Sequence, residues 1–511
     1  MKKTIVLSMI LLLILLSAIP AYADVGDMGY FGGISDGRRL PKTTESLLSE
    51  SGRGGRSAAV NFLYKEIVFL TGVPMVFDGI LSVQASGGVS DSAEYGSYTE
   101  TYRVSSPNNI PDPEPKIERN IVFNVNWRRV GQQIIKDYAV RSWVETINAG
   151  GAEFIIDVSR SYFGISILED HPAAVTYYRG DISQRAVYTT GSGETVSSAT
   201  LEAAGSFYGY NSAWSNTETH RFDYMLYTDQ WQMQYQIRPS VSVNKMLQYT
   251  SNEPTAISFP GNYREVMVND SGLSYDIFVK PQIFLDMPNY GSVNIPVSNA
   301  FEQLIAPNLS FLRGHPAESD ITKLFAMEVL EGETYFYRPE EAITRGQFVS
   351  ALVRAIKLPV EQPAGTRSRN PATPITFPDV PESSPQYPFI MAAYKAGIAA
   401  GRSNGYFFTD STIERQEALV MMLRALGLEN LGYDPVPVTA FTDDNDIDAW
   451  AKRELYAAER LGLIASDENG AISPKALVSK AEAAALLNRF IEYMRLELKT
   501  DYADHIVNFP N

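Results

Sequence analysis

Arg345, Arg415 and Lys480 occupy matching places in the C-terminal third of the sequence, 70 and then 65 residues apart (415 minus 345, 480 minus 415). Each directly follows a residue at a helix-cap position: Thr344, Glu414 and Ser479. A cation at a helix start opposes the macrodipole at a cost on the order of a few tenths of a kcal/mol, so its threefold recurrence asks for a reason. Free backbone N–H groups at such a start gather anions, and a guanidinium or ammonium beside them strengthens the site. The chemistry suggested is anion binding. The competing reading is that each cation pairs with a carboxylate on an acidic surface.

The elements that must hold these side chains are written around them. Thr344 with Gln347 and Ser479 with Glu482 form S/T-x-x-E/Q capping boxes, while the second copy keeps Glu417 behind a poorer cap, Glu414. Ile343, Ile413 and Val478 precede the caps and can staple onto Phe348, Ala418 and Ala483. Apolar residues then recur in one register, as in Val349, Leu352, Val353 and Ile356, which predicts a helix with a buried face. Ahead of each capped helix lies another amphipathic one: Ile321, Leu324, Phe325 and Val329; Ile390, Ala393, Tyr394 and Ile398; Leu455, Ala458, Leu461 and Ile464. Aromatic or apolar turns join the two helices of each unit, at Tyr335–Pro339, Gly405–Phe408 and Gly470–Pro474. A helix-turn-helix unit thus recurs three times, with a Pro- and Thr-rich connector after the first.

At these residues the chain resembles the S-layer homology (SLH) family, whose units carry an F-x-D-V opening, a helix, a G-x-F-x-P turn and a T-R-A-E-type motif opening a second helix. Phe377-Pro378-Asp379-Val380 and Phe441-Thr442-Asp443 match the opening, and Trp450-Ala451 matches the W-A that follows. The first unit departs from the pattern, with Leu309-Ser310-Phe311 at the opening, Pro316 in the place of the Trp, and Glu328 where the later units have Gly397 and Gly462. The resemblance implies an all-α module of three repeats in pseudo-threefold arrangement. It also implies binding of an anionic, often pyruvylated, secondary cell-wall polysaccharide in grooves between units. Carried over, one groove would use Arg345 and Asp379, another Arg415, Asp443 and Trp450, and the third Lys480.

The rest of the chain reads differently. With 45% hydrophobic and 20% charged residues among 511, it has the composition of a folded multidomain protein. A formal net charge of -16 argues against nucleic acid as a partner. Residues 1–23 carry Lys2-Lys3, an apolar run and Ala21-Tyr22-Ala23, the pattern of a secretory signal peptide cleaved after Ala23. There is no Cys, so disulfides, thiolate metal sites and thiol catalysis are all excluded. Residues 24–56 are Gly- and Ser-rich and read as a mobile N-terminal arm. Between 57 and 305 the apolar period shifts to two, as at Ile121, Phe123, Val125 and Trp127. Hairpins are expected at Tyr227–Gln230 and at Asn269–Gly272. This predicts an antiparallel β-rich domain, a sandwich or layered sheet. Its aromatic and Gln residues suit either a sugar-stacking face or, in the more ordinary case, half-buried strands.

The expected architecture is therefore multidomain: the β-rich domain at 57–305, repeat 1 at 306–358, a linker at 359–376, repeat 2 at 377–428, repeat 3 at 441–495 and a tail at 496–511. Four His without metal-ligand spacing, and no nucleophile, phosphate-loop or dinucleotide motif, point to no metal, no cofactor and no catalytic residues. The reading that follows is a secreted cell-surface protein, held non-covalently to wall polysaccharide, free of the membrane after signal cleavage, and able to self-assemble. Its alternatives are a wall-anchored polysaccharide-active enzyme, whose paired carboxylates need no local motif, or a wall-anchored adhesin.

Overall fold

The computed structural model describes residues 28–36, 59–87, 89, 93–107, 114–190, 197–250, 262–297, 300–332, 334, 337–360, 377–402, 405–428 and 437–502. The signal sequence, most of the Pro- and Thr-rich connector and the last nine residues lie outside them.

The N-terminal part is one antiparallel sheet of fifteen strands. In chain order these are β1 (Ile34–Ser35), β2 (Val60–Val68), β3 (Met75–Ser86), β4 (Tyr95–Ser105), β5 (Lys116–Val130), β6 (Gln133–Ala149), β7 (Ala152–Ile156), β8 (Tyr162–Asp170), β9 (Val175–Thr190), β10 (Ser197–Ser212), β11 (Ser215–Thr228), β12 (Gln232–Thr250), β13 (Asn262–Val279), β14 (Tyr290–Asn294) and β15 (Phe301–Ile305). From β2 to β13 the path is a meander between sequence neighbours, except that β7 and β8 share one position between β6 and β9.

The sheet closes on itself in a barrel-like way, where a sandwich or layered sheet was expected from the sequence. β1 pairs with β2, and its backbone also accepts from β13: Ser271 Oγ donates to Ser35 O at 2.6 Å, and Asn269 Nδ2 donates to Asp36 O. These same residues correct a second expectation. Asn269–Gly272 form no turn; they lie in the middle of β13 and pair with Ser240–Val243 of β12. Turn-forming residue types serve here as side-chain donors to an inserted strand.

Residues 28–36 are likewise no mobile arm. Met28, Tyr30, Phe31 and Ile34 are buried in the barrel core. The Tyr30 ring lies 5.6 Å from Tyr102, 5.8 Å from Tyr138 and 5.6 Å from Phe207, on β4, β6 and β10. One aromatic side chain thus touches several walls of the interior, as only a segment threaded through the barrel can.

Strand alternation sorts the barrel. On β5, Ile117, Ile121, Phe123, Val125 and Trp127 point inward, while Glu118, Asn124, Asn126 and Arg128 are exposed. Alternate outward positions are polar, so this wall faces water. Tyr224, Tyr235 and Met233 are buried inside, while Gln232 stands cross-strand from the exposed Tyr227 on the outer face.

The interior also holds charge. Arg119 donates to Glu66 at 2.7 and 3.0 Å and to Glu145 at 2.7 Å. Tyr64 Oη at 2.8 Å completes the Glu66 shell, and Trp143 Nε1 at 2.8 Å with Tyr188 Oη at 3.1 Å completes that of Glu145. Since β3 and β4 separate β2 from β5, the Arg119–Glu66 pair spans the interior. Lys136 pairs with Glu169, which also meets His171 at 3.0 Å. Glu100 accepts from the hydroxyls of Tyr98, Tyr102 and Tyr138 at 2.8, 2.7 and 3.2 Å.

The C-terminal part is helical: α1 (Glu318–Ala326), α2 (Arg345–Ala355), α3 (Tyr387–Lys395), α4 (Arg415–Leu426), α5 (Lys452–Arg460), α6 (Lys480–Glu492) and α7 (Leu498–Asp501). A π-helical turn, Tyr493–Glu497, runs α6 into α7. Each capped helix packs on the first helix of the next unit: α2 on α3, α4 on α5, and α6 back on α1.

The two parts dock through the C-terminal ends of the capped helices, whose last carbonyls lack intrahelical partners. Trp214 Nε1 donates to Ala355 O at 2.7 Å, Ala174 N to Ala425 O at 2.8 Å, and Ser215 Oγ to Met494 O at 2.5 Å. The barrel thus satisfies acceptors at the ends of all three. The segment from Tyr493 to Tyr502, partly taken as a tail, joins this joint: Leu498 and Tyr502 are buried, and Tyr502 Oη donates to Tyr178 O at 2.9 Å.

Candidate functional site

The three residues before the caps meet at the centre of the helical module. Ile343 N donates to Val478 O at 2.9 Å, Val478 N to Ile413 O at 3.0 Å, and Ile413 N to Ile343 O at 3.4 Å. These three hydrogen bonds form a closed cycle that joins the three units. The staple positions are therefore also the hub.

Around the hub the helix starts are occupied. Arg345 N and Gly346 N donate to Ser411 O and Thr409 O at 2.8 and 2.9 Å. Arg415 N and Gln416 N donate to Ala476 O and Pro474 O, and Lys480 N and Ala481 N to Glu341 O and Pro339 O. The first amides of these three helices, which would collect an anion, are spent on the neighbouring repeat's turn, so none of the three capped starts is an open anion site.

The cations pair in the same cyclic sense. Arg345 meets Glu417 at 2.9 Å, Arg415 meets Glu482 at 2.6 Å, and Lys480 meets Glu341 at 2.7 Å. Glu417 and Glu482 are bifunctional, since their second oxygens accept from Glu414 N and Ser479 N at 3.2 and 2.8 Å as the capping box requires. The first repeat has the neutral Gln347 at this place, and Lys480 turns to Glu341 instead. Each helix-start cation thus meets the carboxylate that caps or flanks the next helix, and at Glu417 it shares that carboxylate with Arg402, whose Nε donates at 2.9 Å.

Exposure separates the three. Arg345 is 5% exposed, donates to Ala400 O at 2.8 Å, and stands 5.0 Å over the Phe407 ring. Burial pulls its guanidinium below its ordinary value against the opposing pull of Glu417. The Arg415 and Lys480 side chains are 25% and 17% exposed.

Asp379 and Asp443 are backbone acceptors. Asp379 receives Phe407 N and Phe408 N at 2.9 and 2.6 Å, and Asp443 receives Ile472 N and Ser473 N at 3.1 and 2.7 Å. Arg345 and Asp379 thus converge on one turn, the cation at the Phe407 ring and the carboxylate at the Phe407 and Phe408 amides. Arg415, which donates to Ile472 O, and Asp443 converge on the next. In each case the Asp shapes the turn that the preceding repeat's cation grips.

Trp450 is set apart and half exposed. Beside it Asp448 takes Lys475 at 3.1 Å and Gln416 Nε2 at 2.8 Å, and its carboxyl is held below the usual range by Lys475 first and then Gln416, with Trp450 a further donor. A half-exposed indole and a half-exposed ammonium therefore lie next to one carboxylate, where Gln416 of the second repeat meets Asp448 of the third.

Between α2 and α3 lies a cavity of about 350 Å³, lined by Gln347, Ser350, Arg354, Gln386, Phe389, Tyr337 and Lys480 among others. Arg354 pairs with Glu331 and lies 4.2 Å over the Phe389 ring. The sequence reading passed over this arginine. It has counterparts nine residues after each helix-start cation (354 minus 345, 424 minus 415, 489 minus 480), and that fixed offset was the available signal. Arg424 reaches Glu454 at 3.3 Å, while Arg489 is taken up by Gly462 O and Glu497. The residues lining the cavity offer amide, hydroxyl, cationic, aromatic and, at Glu331, carboxylate groups to one ligand, a set that suits a polar ring such as a sugar.

The S-layer homology domain model matches residues 376–419 and 440–484, so the second and third helical units are S-layer homology repeats. The first unit completes the same cycle of contacts. Over 183 residues the chain is 30% identical to an amylopullulanase of Thermoanaerobacterium thermosulfurigenes, covering 34% of this chain and 9% of that protein. It is 30% identical over 183 residues to exoglucanase XynX of Acetivibrio thermocellus, covering 34% and 15%. With an S-layer protein of Bacillus thuringiensis subsp. finitimus it shares 26% identity over 153 residues, 30% of this chain and 17% of that one. The chain thus spans less than a fifth of the length of each of these relatives.

Proposed function

We propose that this is a secreted cell-surface protein whose helical module grips an anionic, pyruvylated secondary cell-wall polysaccharide and presents the barrel outward. The observation that carries the reading is the inter-repeat cavity with Arg354 and Lys480 at α2/α3, and the exposed Trp450 near Lys475 where the second and third repeats meet supports it. The barrel caps the opposite ends of the same helices, so both parts can be engaged at once.

In this reading Trp450 stacks on a sugar ring while Lys475, Arg415 and Lys480 supply charge to carboxylates. Arg345, Asp379 and Asp443 act through the turns they hold, as positioning residues. The S-layer protein among the relatives favours a surface role, and the named hydrolases, matched over 34% of this chain, do not lend their activity to the barrel.

The test uses the full mature chain and purified wall sacculi. It should sediment with intact sacculi and stay in solution with sacculi stripped of their polysaccharide. Trp450→Ala combined with Lys475→Ala should weaken binding roughly tenfold or more, the usual cost of truncating an anchor residue, at unchanged thermal stability. Equal sedimentation with stripped sacculi defeats the proposal.

A further inference from the structure

β14 and β15 lie end to end along β13, and among the described residues neither has a strand on its other side. An open edge is normally blunted by Lys, Pro or a covering loop. β15 reads Phe301-Glu302-Gln303-Leu304-Ile305 and has neither Lys nor Pro.

The register decides which groups are free. Met267 N donates to Ala300 O at 2.8 Å, so by antiparallel alternation Glu302 and Leu304 turn their backbone groups to β13. Phe301, Gln303 and Ile305 turn theirs outward. These three also share one face of the sheet, where Phe301 is 63% and Ile305 68% exposed. Met246, in line with Val266 and Phe301, adds to this face and is 39% exposed, and Arg264 lies 4.4 Å over the Phe301 ring. The other face is taken: Leu304 packs with Tyr263 against Ala326 of α1.

We infer that β15 pairs with β15 of a second copy of this chain, antiparallel about a twofold axis through Gln303. In that register Gln303 faces its own counterpart and each Phe301 faces the other copy's Ile305. All outward N–H and C=O groups of the three residues find partners. Each Glu302 meets a Leu304, so no like charges stand opposite each other. The strand is self-complementary, as an isologous interface must be. That is the argument for a second copy over a foreign peptide. Five residues a side make a small contact, so association is weak in dilute solution and favoured where copies are crowded on a surface. With a net charge of -16 per chain, added salt should strengthen it.

The inference is independent of how the helical grooves bind. Sedimentation velocity on the full mature chain should show a monomer–dimer equilibrium that tightens with salt. Gln303→Pro removes an outward N–H that β13 does not use, and should weaken dimerisation at least tenfold without changing the thermal midpoint. Gln303→Cys supplies a second test, because the chain has no cysteine of its own. Directly paired Cα atoms about 5.5 Å apart fall within disulfide reach. Mild oxidation should give a covalent dimer, whereas Tyr95→Cys on β4 should not. A monomer at every concentration and salt, a dimer indifferent to Gln303→Pro, or equal crosslinking from both cysteines overturns the inference.

Discussion

Arg119 in the barrel and the three cations of the helical ring all hold glutamates, but they are set in different surroundings. Arg119 is locked between Glu66 and Glu145 with every partner nearly sealed from water, and its two carboxylates come from strands on different walls. In the ring, the first pair is the most enclosed: the side chains of Arg345 and Glu417 are 5% and 12% exposed, those of Arg415 and Glu482 25% and 43%, and those of Lys480 and Glu341 17% and 59%. A sealed pair costs desolvation for both ions and is badly missed when halved; an open one is cheap to make and to lose. The barrel uses charge to fix which walls face each other. The ring uses it to neutralise capping carboxylates while leaving part of its cations within reach of a ligand.

The sharpest way to break this comparison is Arg119→Ala. Two carboxylates would remain buried without a counter-ion, and about 3–5 kcal/mol of stability should go, read as a shift of the urea midpoint. Arg119→Met together with Glu66→Gln and Glu145→Gln should recover much of it, because removing the whole network removes the desolvation cost as well. If Arg119→Ala cost no more than Lys480→Ala, the contrast between interior and ring would be lost.

Within the ring the same logic grades the pairs. A double-mutant cycle over Arg345 and Glu417 should return a coupling of roughly 1–3 kcal/mol, and one over Lys480 and the exposed Glu341 a smaller one. Equal couplings would mean that exposure does not set their strength.

Two barrel carboxylates should respond to pH with opposite signs. For Glu169 burial raises the pKa, but Lys136 and His171 together outweigh it and the net shift is downward. Its contribution is present above the ordinary carboxyl range and is lost as pH falls through the lowered value. For Glu100 burial dominates over Lys136 and the three tyrosine hydroxyls, and the pKa rises. The folded state then keeps its proton longer than the unfolded one, so stability declines as pH climbs from the ordinary glutamate value toward the raised one. Glu100→Gln should flatten that decline, and Glu169→Gln should flatten the acid limb. Denaturation at a series of pH values separates the two; identical profiles for both variants would contradict these assignments.

What could be read from the sequence follows the same division. Caps, staples and apolar stripes of the helical units lie within a few residues of one another, so their recurrence is visible in the chain itself. The ring's ion pairs join residues 72, 67 and 139 apart, and no local pattern shows that Glu417, Glu482 and Glu341 wait for those cations. Barrel closure was hidden for the same reason: residues 28–36 look like a Gly-rich arm until β2 and β13 are brought to either side. The tail failed differently. Leu498 and Tyr502 carry a burial signal too short to stand alone, and it gains meaning only against Tyr177 and Tyr178.

A smaller effect tests whether the first repeat is an imperfect copy of the others at the level of its backbone. Gly397 and Gly462 end the first helices of repeats two and three in the left-handed region, at φ 72° and 61°. Glu328 holds the same place in repeat one at φ 57°, a conformation that costs a residue with a Cβ. Glu328 N still donates to Phe325 O at 3.1 Å, so the termination is the same and only the residue type is unfavourable. Glu328→Gly should therefore stabilise the chain by up to about 1 kcal/mol, less whatever the added freedom of glycine in the unfolded state takes back. Gly397→Ala and Gly462→Ala should each destabilise by a similar amount. If Glu328→Gly instead lowers the thermal midpoint as much as those two do, the glutamate side chain supports the first repeat in a way that backbone geometry does not reveal.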